Sequence, residues 1–238
     1  MKTLAIIPAR GGSKRLPQKN ILKLCGKPLF LHVFDAAFKS GCFDDIILTT
    51  DDADIAILGR KNGVDVPFLR PASLASDEAR SEDVVRHAIH ELELKREINY
   101  DFIMLLQPTS PFTCPRHIEA ALDLLFSGTF DSVTSITKEA HAHPAYMLVR
   151  NEAGFCRLSE KYHEVGPHQN ATEVFYRCGN IYAVKKDFFF KENSFLAGRI
   201  GYVFVEREYA VNIDDKWDWI YAEAVGAYLK SIKPEQVG

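Results

Sequence analysis

The residues best equipped for chemistry open the chain, in Pro8-Ala9-Arg10-Gly11-Gly12-Ser13-Lys14-Arg15-Leu16-Pro17-Gln18-Lys19-Asn20, directly after the apolar run Leu4–Ile7. Adjacent glycines free the backbone to turn its amides inward around an anion. Arg10, Lys14, Arg15 and Lys19 place four cations within ten residues. Such cations repel one another unless something anionic lies between them, and a triphosphate meets that need through charge-assisted hydrogen bonds. The rival reading is a solvated basic turn. Position decides for the phosphate, because the loops that follow the strands of an open α/β sheet are where ligands bind. This is not a Walker loop, since the second Gly-Lys-Ser/Thr element is missing.

Further along, Val211-Asn212-Ile213-Asp214-Asp215 alternates so that Asn212 and Asp214 share one face of a short strand. Oxygen ligands two apart suit Mg²⁺ shared with substrate phosphates. Helix capping by Asp214 or Asp215 is an equal rival. Leu105-Leu106-Gln107-Pro108-Thr109-Ser110-Pro111 ends an apolar run in polar groups between two prolines. It either aims Gln107, Thr109 and Ser110 into a cleft or makes a plain strand-ending turn. The irregular stretch Leu69–Ser81, with Arg70 and several small hydroxyls, suits a ribose or base contact. For Thr49-Thr50-Asp51, capping of the following helix outweighs a nucleotide contact. His141 and His143 lack a third ligand at metal spacing and read as loop histidines. Phe188-Phe189-Phe190, Trp217 and Trp219 read as core or interface, since no basic residues interleave them as base stacking requires.

These residues need elements to hold them. Leu4–Ile7, Ile46–Thr50, Phe102–Leu106 and Val133–Ile136 have the length of buried strands, and Asn180–Val184 and Tyr202–Val205 resume that pattern later. Helical spacing fills Leu29–Lys39, Ala53–Asn62, Ser81–Lys95, Pro115–Ser127 and Lys216–Ile232. Strand and helix alternating in this way predict a largely parallel sheet with helices on both faces. The rhythm breaks between His141 and Gln169, a stretch that reads as a lid or as an arm packing on a second subunit.

The bulk properties set outer limits. With 238 residues, 47% hydrophobic and 26% charged, the chain matches an ordinary globular protein with a sizeable core. A net charge of −3 gives no global field for nucleic acid or an anionic membrane. Five scattered cysteines without metal spacing read as free thiols in a reducing cytoplasm. Leu4–Ile7 is far too short for a signal peptide's apolar region of about 7–15 residues. The expected setting is the cytoplasm, without nucleic acid or membrane as partner.

Taken together and in this order, Ile6–Asn20, Leu69–Ser81, Leu105–Pro111 and Asn212–Asp215 resemble the CMP-sialic acid synthetase (acylneuraminate cytidylyltransferase) family. The resemblance spans nearly the whole chain. It implies a nucleotide-diphospho-sugar transferase fold, which is a Rossmann-like three-layer α/β sandwich with a mostly parallel sheet. It further implies one domain over residues 1–238, with 139–179 as a small dimerisation or lid excursion, and a homodimer. CTP is the implied donor, Mg²⁺ the cofactor and a sugar acid the acceptor. Carried over residue by residue, Arg10, Lys14, Lys19 and Asp214 are catalytic, while Ala9, Gly11, Gly12, Ser13, Asn20, Arg70 and Ser81 hold the nucleotide. Gln107, Thr109, Tyr182 and His168 face the sugar, and Asp214 with Asn212 binds metal. Three departures stand out. Asn212 replaces an aspartate, Pro167-His168-Gln169 lacks the arginine that holds the sugar carboxylate in sialic acid enzymes, and Tyr146 stands where some relatives carry lysine. A different acceptor, such as a deoxy-octulosonate or a non-sugar phosphate, and a catalytically silent nucleotide-binding dimer are the alternatives.

Overall fold

Each apolar run expected to be a strand forms one, and each expected helix is found within one residue of its expected ends. The structure, a computed structural model, describes residues 1–138, 143–144, 147–151, 154–157, 173–196 and 198–232. In chain order the elements are β1 (Thr3–Pro8), β2 (Lys23–Leu24), β3 (Lys27–Pro28), α1 (Leu29–Ser40), β4 (Asp45–Thr49), α2 (Ala53–Lys61), α3 (Ser81–Arg96), β5 (Phe102–Leu105) and α4 (Pro115–Phe126), followed by β6 (Ser132–Lys138), β7 (Leu148–Asn151), β8 (Gly154–Arg157), β9 (Phe175–Lys185), α5 (Lys186–Glu192), β10 (Ile200–Phe204) and α6 (Lys216–Ile232). His141, Tyr146, Pro167-His168-Gln169 and the tail 233–238 lie outside the described residues, as does most of the expected excursion 139–179.

One six-stranded sheet carries the fold, in the order β10-β6-β9-β5-β1-β4. β1 pairs in parallel with β4 and β5, and β10 in parallel with β6. β9 alone runs the other way, antiparallel to both β5 and β6. Alternation along β1 sends Ala5 and Ile7 to one face and Leu4 and Ile6 to the other. The first face packs on α1, α2 and α4 through Phe30, Val33, Ile55, Ile118 and Leu122. The second packs on α3 and α5 through Val85, Ile89, Leu92 and Phe189. The result is three layers, as expected. A third apolar cluster joins α6, through Ala222 and Leu229, to Phe112, Val211 and Ile213.

Several local readings resolve. α5 was not expected, and it absorbs the middle of the phenylalanine run, with Phe189 buried and Phe190 lying under Arg86 at 4.6 Å. Trp217 is 78% exposed and Trp219 packs on the third cluster. The short strand expected at 211–215 does not form, since residues 211–214 belong to no strand or ladder. Cys25, Cys42, Cys114 and Cys178 are free thiols. Among the described residues no helix is long and apolar enough to cross a membrane.

Candidate functional site

The loops that leave β1 and β5 meet residues 70–81 and 212–214 around a cleft of about 670 Å³ at the carboxyl edge of the parallel strands. Arg10, Ser13, Lys14, Arg15, Lys19 and Asn20 from the first loop line it, facing Arg70 and Ser81, Gln107 and Thr109, and Asn212 and Asp214. Segments up to two hundred positions apart in sequence thus share one wall.

Backbone contacts fix the first loop. Ala9 N–H donates to the Thr49 carbonyl at 3.0 Å, tying the loop's base to the end of β4. Gly11 N–H donates to Asp51 Oδ1 at 3.1 Å, and Ser13 N–H to the Gly11 carbonyl at 3.0 Å. A side chain at Gly11 would stand 2.4 Å from Asp52 Oδ2, so only glycine fits there, whereas Gly12 faces open space. The amides of Ala9, Gly11 and Ser13 turn to protein acceptors, and Ala9, Gly11 and Gly12 are not among the residues that line the cleft.

The same contacts revise the reading of Thr49-Thr50-Asp51. Asp52, not Asp51, caps α2, accepting from Asp54 N–H and Ile55 N–H. This leaves Asp51 to brace Gly11 and the guanidinium of Arg70, at 3.5 Å. Arg70 is only 3% exposed in its side chain, and its Nε has no hydrogen-bond partner. Burial pushes its pKa down against the opposing pull of Asp51.

Lys19 is the best-anchored cation. Its ammonium donates to the Ile213 carbonyl at 2.7 Å and lies 3.6 Å from Asp214 Oδ1. Burial lowers its pKa most, Asp214 opposes that, and Arg15 and Arg10 lower it further. An anion in the cleft would relieve this repulsion. Asn20, buried, donates to the Arg10 carbonyl at 2.8 Å and holds the loop's path. Arg10 and Lys14 converge on Asp77, at 2.8 and 2.5 Å. Asp77 escaped the sequence reading, although a carboxylate in the loop opposite four cations was the signal to look for. Its two oxygens take one cation each.

At the far wall, Asp214 and Asp215 divide the work that the sequence left open. Asp215 Oδ1 accepts from Trp217 N–H and Asp218 N–H, at 2.7 and 3.1 Å, and caps α6. Asp218 reaches back to the amides of Asp214 and Asp215, a reciprocal box. The carboxylate of Asp214 is left for the cleft, where the Asn212 amide donates to it at 3.1 Å. Ile213 N–H donates to the Thr109 carbonyl at 2.8 Å, so this segment and the Gln107 loop move as one.

Gln107 and Thr109 line the cleft as expected, but Ser110 is fully buried behind them with its hydroxyl unpartnered. Gly179, at φ +82°, passes close behind Gln107, where a Cβ would stand 3.4 Å from Oε1. Tyr182 does not line the cleft. It lines an adjoining chamber of about 210 Å³ that shares Ser81 and Gln107 with it. Burial raises the Tyr182 pKa and keeps the phenol a neutral donor. The structure therefore brings together the nucleotide-side residues, places Tyr182 next door, and leaves His168 outside the described residues.

With that geometry in hand, comparison with known proteins is informative. The sequence family described as Cytidylyltransferase matches residues 4–199. The chain is 32% identical over 223 residues to an N-acylneuraminate cytidylyltransferase of Streptococcus agalactiae, covering 93% of this chain and 52% of that one. It thus spans about half the length of that relative. It is also 32% identical over 227 residues to a CMP-N,N'-diacetyllegionaminic acid synthase of Legionella pneumophila, covering 94% and 95% of the two chains. Among solved structures, a CMP:2-keto-3-deoxy-manno-octonic acid synthetase complexed with CTP superposes with a TM-score of 0.73 at 20% identity, over 96% of this chain and 99% of that one. At that identity the likeness is one of fold.

Proposed function

The chain belongs to the cytidylyltransferase family, as the motifs led us to expect, and from that premise we propose that it joins CMP from CTP to a sialic-acid-like nonulosonic sugar acid, releasing pyrophosphate. The observation that carries this reading is the cleft itself, in which Arg10, Lys14, Arg15 and Lys19 face Asp214 and open beside Gln107 onto a second chamber. A triphosphate fits the cations, and an acceptor in the chamber lies next to it.

In the proposed reaction the anomeric hydroxyl oxygen attacks the α-phosphorus in line. The bond to the β-phosphate oxygen breaks, and the hydroxyl proton passes to solvent or to the released pyrophosphate. Arg10, Lys14 and Lys19 neutralise the charge that gathers on the leaving group, and positioning supplies much of the remaining acceleration. Ser13 contacts the phosphates, Asn20 keeps the loop in place, and Arg70 and Ser81 bound the cytidine. Gln107, Thr109, Tyr182 and His168 hold the acceptor.

Asp214 and the side-chain oxygen of Asn212 would hold Mg²⁺. Among the described residues no group of three or more His, Cys, Asp or Glu side chains gathers into a metal cage. One carboxylate and one amide oxygen beside a phosphate site suit an ion that keeps most of its coordination for phosphates and water. Bound there, it would neutralise phosphate charge and polarise the reacting phosphoryl group.

A homodimer and a cytoplasmic setting complete the proposal. Phe175, Tyr176, Tyr202 and Phe204, exposed at the ends of β9 and on β10, supply apolar surface for a second copy, and the free thiols fit a reducing compartment. The test is pyrophosphate release measured with each of the four nucleoside triphosphates against N-acetylneuraminate, N,N'-diacetyllegionaminate and a deoxy-octulosonate. Release confined to CTP with a nonulosonic acid is expected. Release with the octulosonate alone would reassign the acceptor, and CTP binding with no release would leave a silent module.

A further inference from the structure

We propose that Arg177 is the cation that binds the acceptor's carboxylate, an inference that rests on the sugar-acid reading above. β9 runs against its neighbours, so its beginning rather than its end lies at the edge where the cleft opens, with Tyr182 opposite Leu105 at the end of β5. Beyond Tyr182 its ladder with β6 slips. Thr134 pairs with Tyr182, but Ile136, two residues on, pairs with Arg177, five residues back. An unbroken antiparallel ladder would set Asn180 opposite Ile136, so β9 holds three extra residues here, Gly179 with its positive φ among them.

That odd insertion decides where Arg177 points. Residues five apart on a regular strand face opposite sides, whereas cross-strand partners face the same side. Thr134 and Ile136 share a face, so their partners Tyr182 and Arg177 do too. The bulge turns an arginine that would otherwise leave the site into the chamber it shares with Tyr182, Ser81 and Gln107.

The chamber is built to use that charge. Its one carboxylate, Glu82, is drawn to Arg80 at 3.6 Å. No carboxylate among the described residues pairs with Arg177. Leu105, Phe195 and Leu196 form the apolar side, and Arg177 itself is exposed, open to an incoming anion. A guanidinium fork matches a carboxylate with two parallel hydrogen bonds. In a 2-keto sugar acid the carboxylate sits on the anomeric carbon that bears the attacking hydroxyl. Holding it therefore also aims the nucleophile past Gln107 toward the α-phosphate.

Steady-state kinetics of the full chain with Arg177→Gln and Arg177→Lys test this, using whichever of N-acetylneuraminate and N,N'-diacetyllegionaminate the wild type turns over faster, together with its methyl ester. R177Q should raise KM for the acid by about tenfold or more while KM for CTP stays within about twofold. Its preference for the acid over the ester should shrink by a similar factor, and R177K should recover part of both. An unchanged KM for the acid with the ester preference intact, in R177Q or, should that variant not fold, in R177K, overturns the proposal. Those results with an active wild type leave the proposed function standing. A wild type inactive with every acid removes the function and this proposal together.

Discussion

The two adjoining cavities are built by opposite means. The larger cleft takes seven of its residues from one continuous loop, Arg10 to Asn20, held at its base by β1 and β4. The adjoining chamber, the proposed acceptor site, takes its residues from α3, the end of β5 and the loop after it, the reversed strand β9 and the segment around Phe195. One is a motif and the other an assembly. A contiguous, cation-dense loop attracts any polyphosphate, so it defines the donor class. A chamber assembled from separated elements can change its occupant through small shifts in register, such as the slip that turns Arg177.

The cleft gives the largest expected effects. Lys14 is 80% exposed and, among the described residues, makes a single ion pair, with Asp77, so its removal should barely disturb folding. Lys14→Ala should lower kcat/KM for CTP by about 100-fold or more, with a melting temperature within about 2 °C of wild type. Equal losses in activity and stability, read by pyrophosphate release and thermal unfolding, would make Lys14 structural.

Adjacent aspartates sharpen the comparison within the cleft. Asp214→Asn should cut turnover by about 100-fold and raise the Mg²⁺ concentration needed for half-maximal rate. Asp215→Ala should cost about 1 kcal/mol of stability through loss of the α6 cap and leave KM for CTP near wild type. A titration of rate against Mg²⁺ and a denaturant melt of both variants separates the two roles. The reverse pattern would exchange them.

The smallest effect belongs to Asp77, which pairs with Arg10 and Lys14 and in the proposed function would compete with the triphosphate for them. Asp77→Asn should lower KM for CTP by about two- to fivefold, in the range of exposed ion pairs. A higher KM would mean that Asp77 contacts the nucleotide side of the complex instead of standing in for it.

Much of this molecule was legible in its sequence, and the exceptions share a cause. Strand and helix positions follow from periodicity, and the four-cation loop announces itself because its residues are neighbours. The reversal of β9 is invisible to periodicity, since alternation reads the same in either direction. Asp51 and Asp52 are both plausible caps by type, and only the path of the Gly11 loop tells which is taken. Ser110 looks as accessible as Thr109 until the fold sets it against Gly179 of β9, where a Cβ would stand 3.6 Å from its hydroxyl. Arg177 sits in an ordinary strand pattern, and only the three-residue slip gives it a destination. What escaped the sequence is set by long-range contacts rather than by local pattern.

In the proposed function the occupants of the cleft and the chamber meet at one phosphorus. Phosphorus NMR of the full chain with CTP, Mg²⁺ and N-acetylneuraminate or N,N'-diacetyllegionaminate observes that meeting directly. The account predicts a phosphodiester signal from a CMP-sugar growing in equal amount with pyrophosphate, and neither signal when the acid is omitted. Loss of CTP to free CMP, or no change in CTP with any nonulosonic acid, would contradict it.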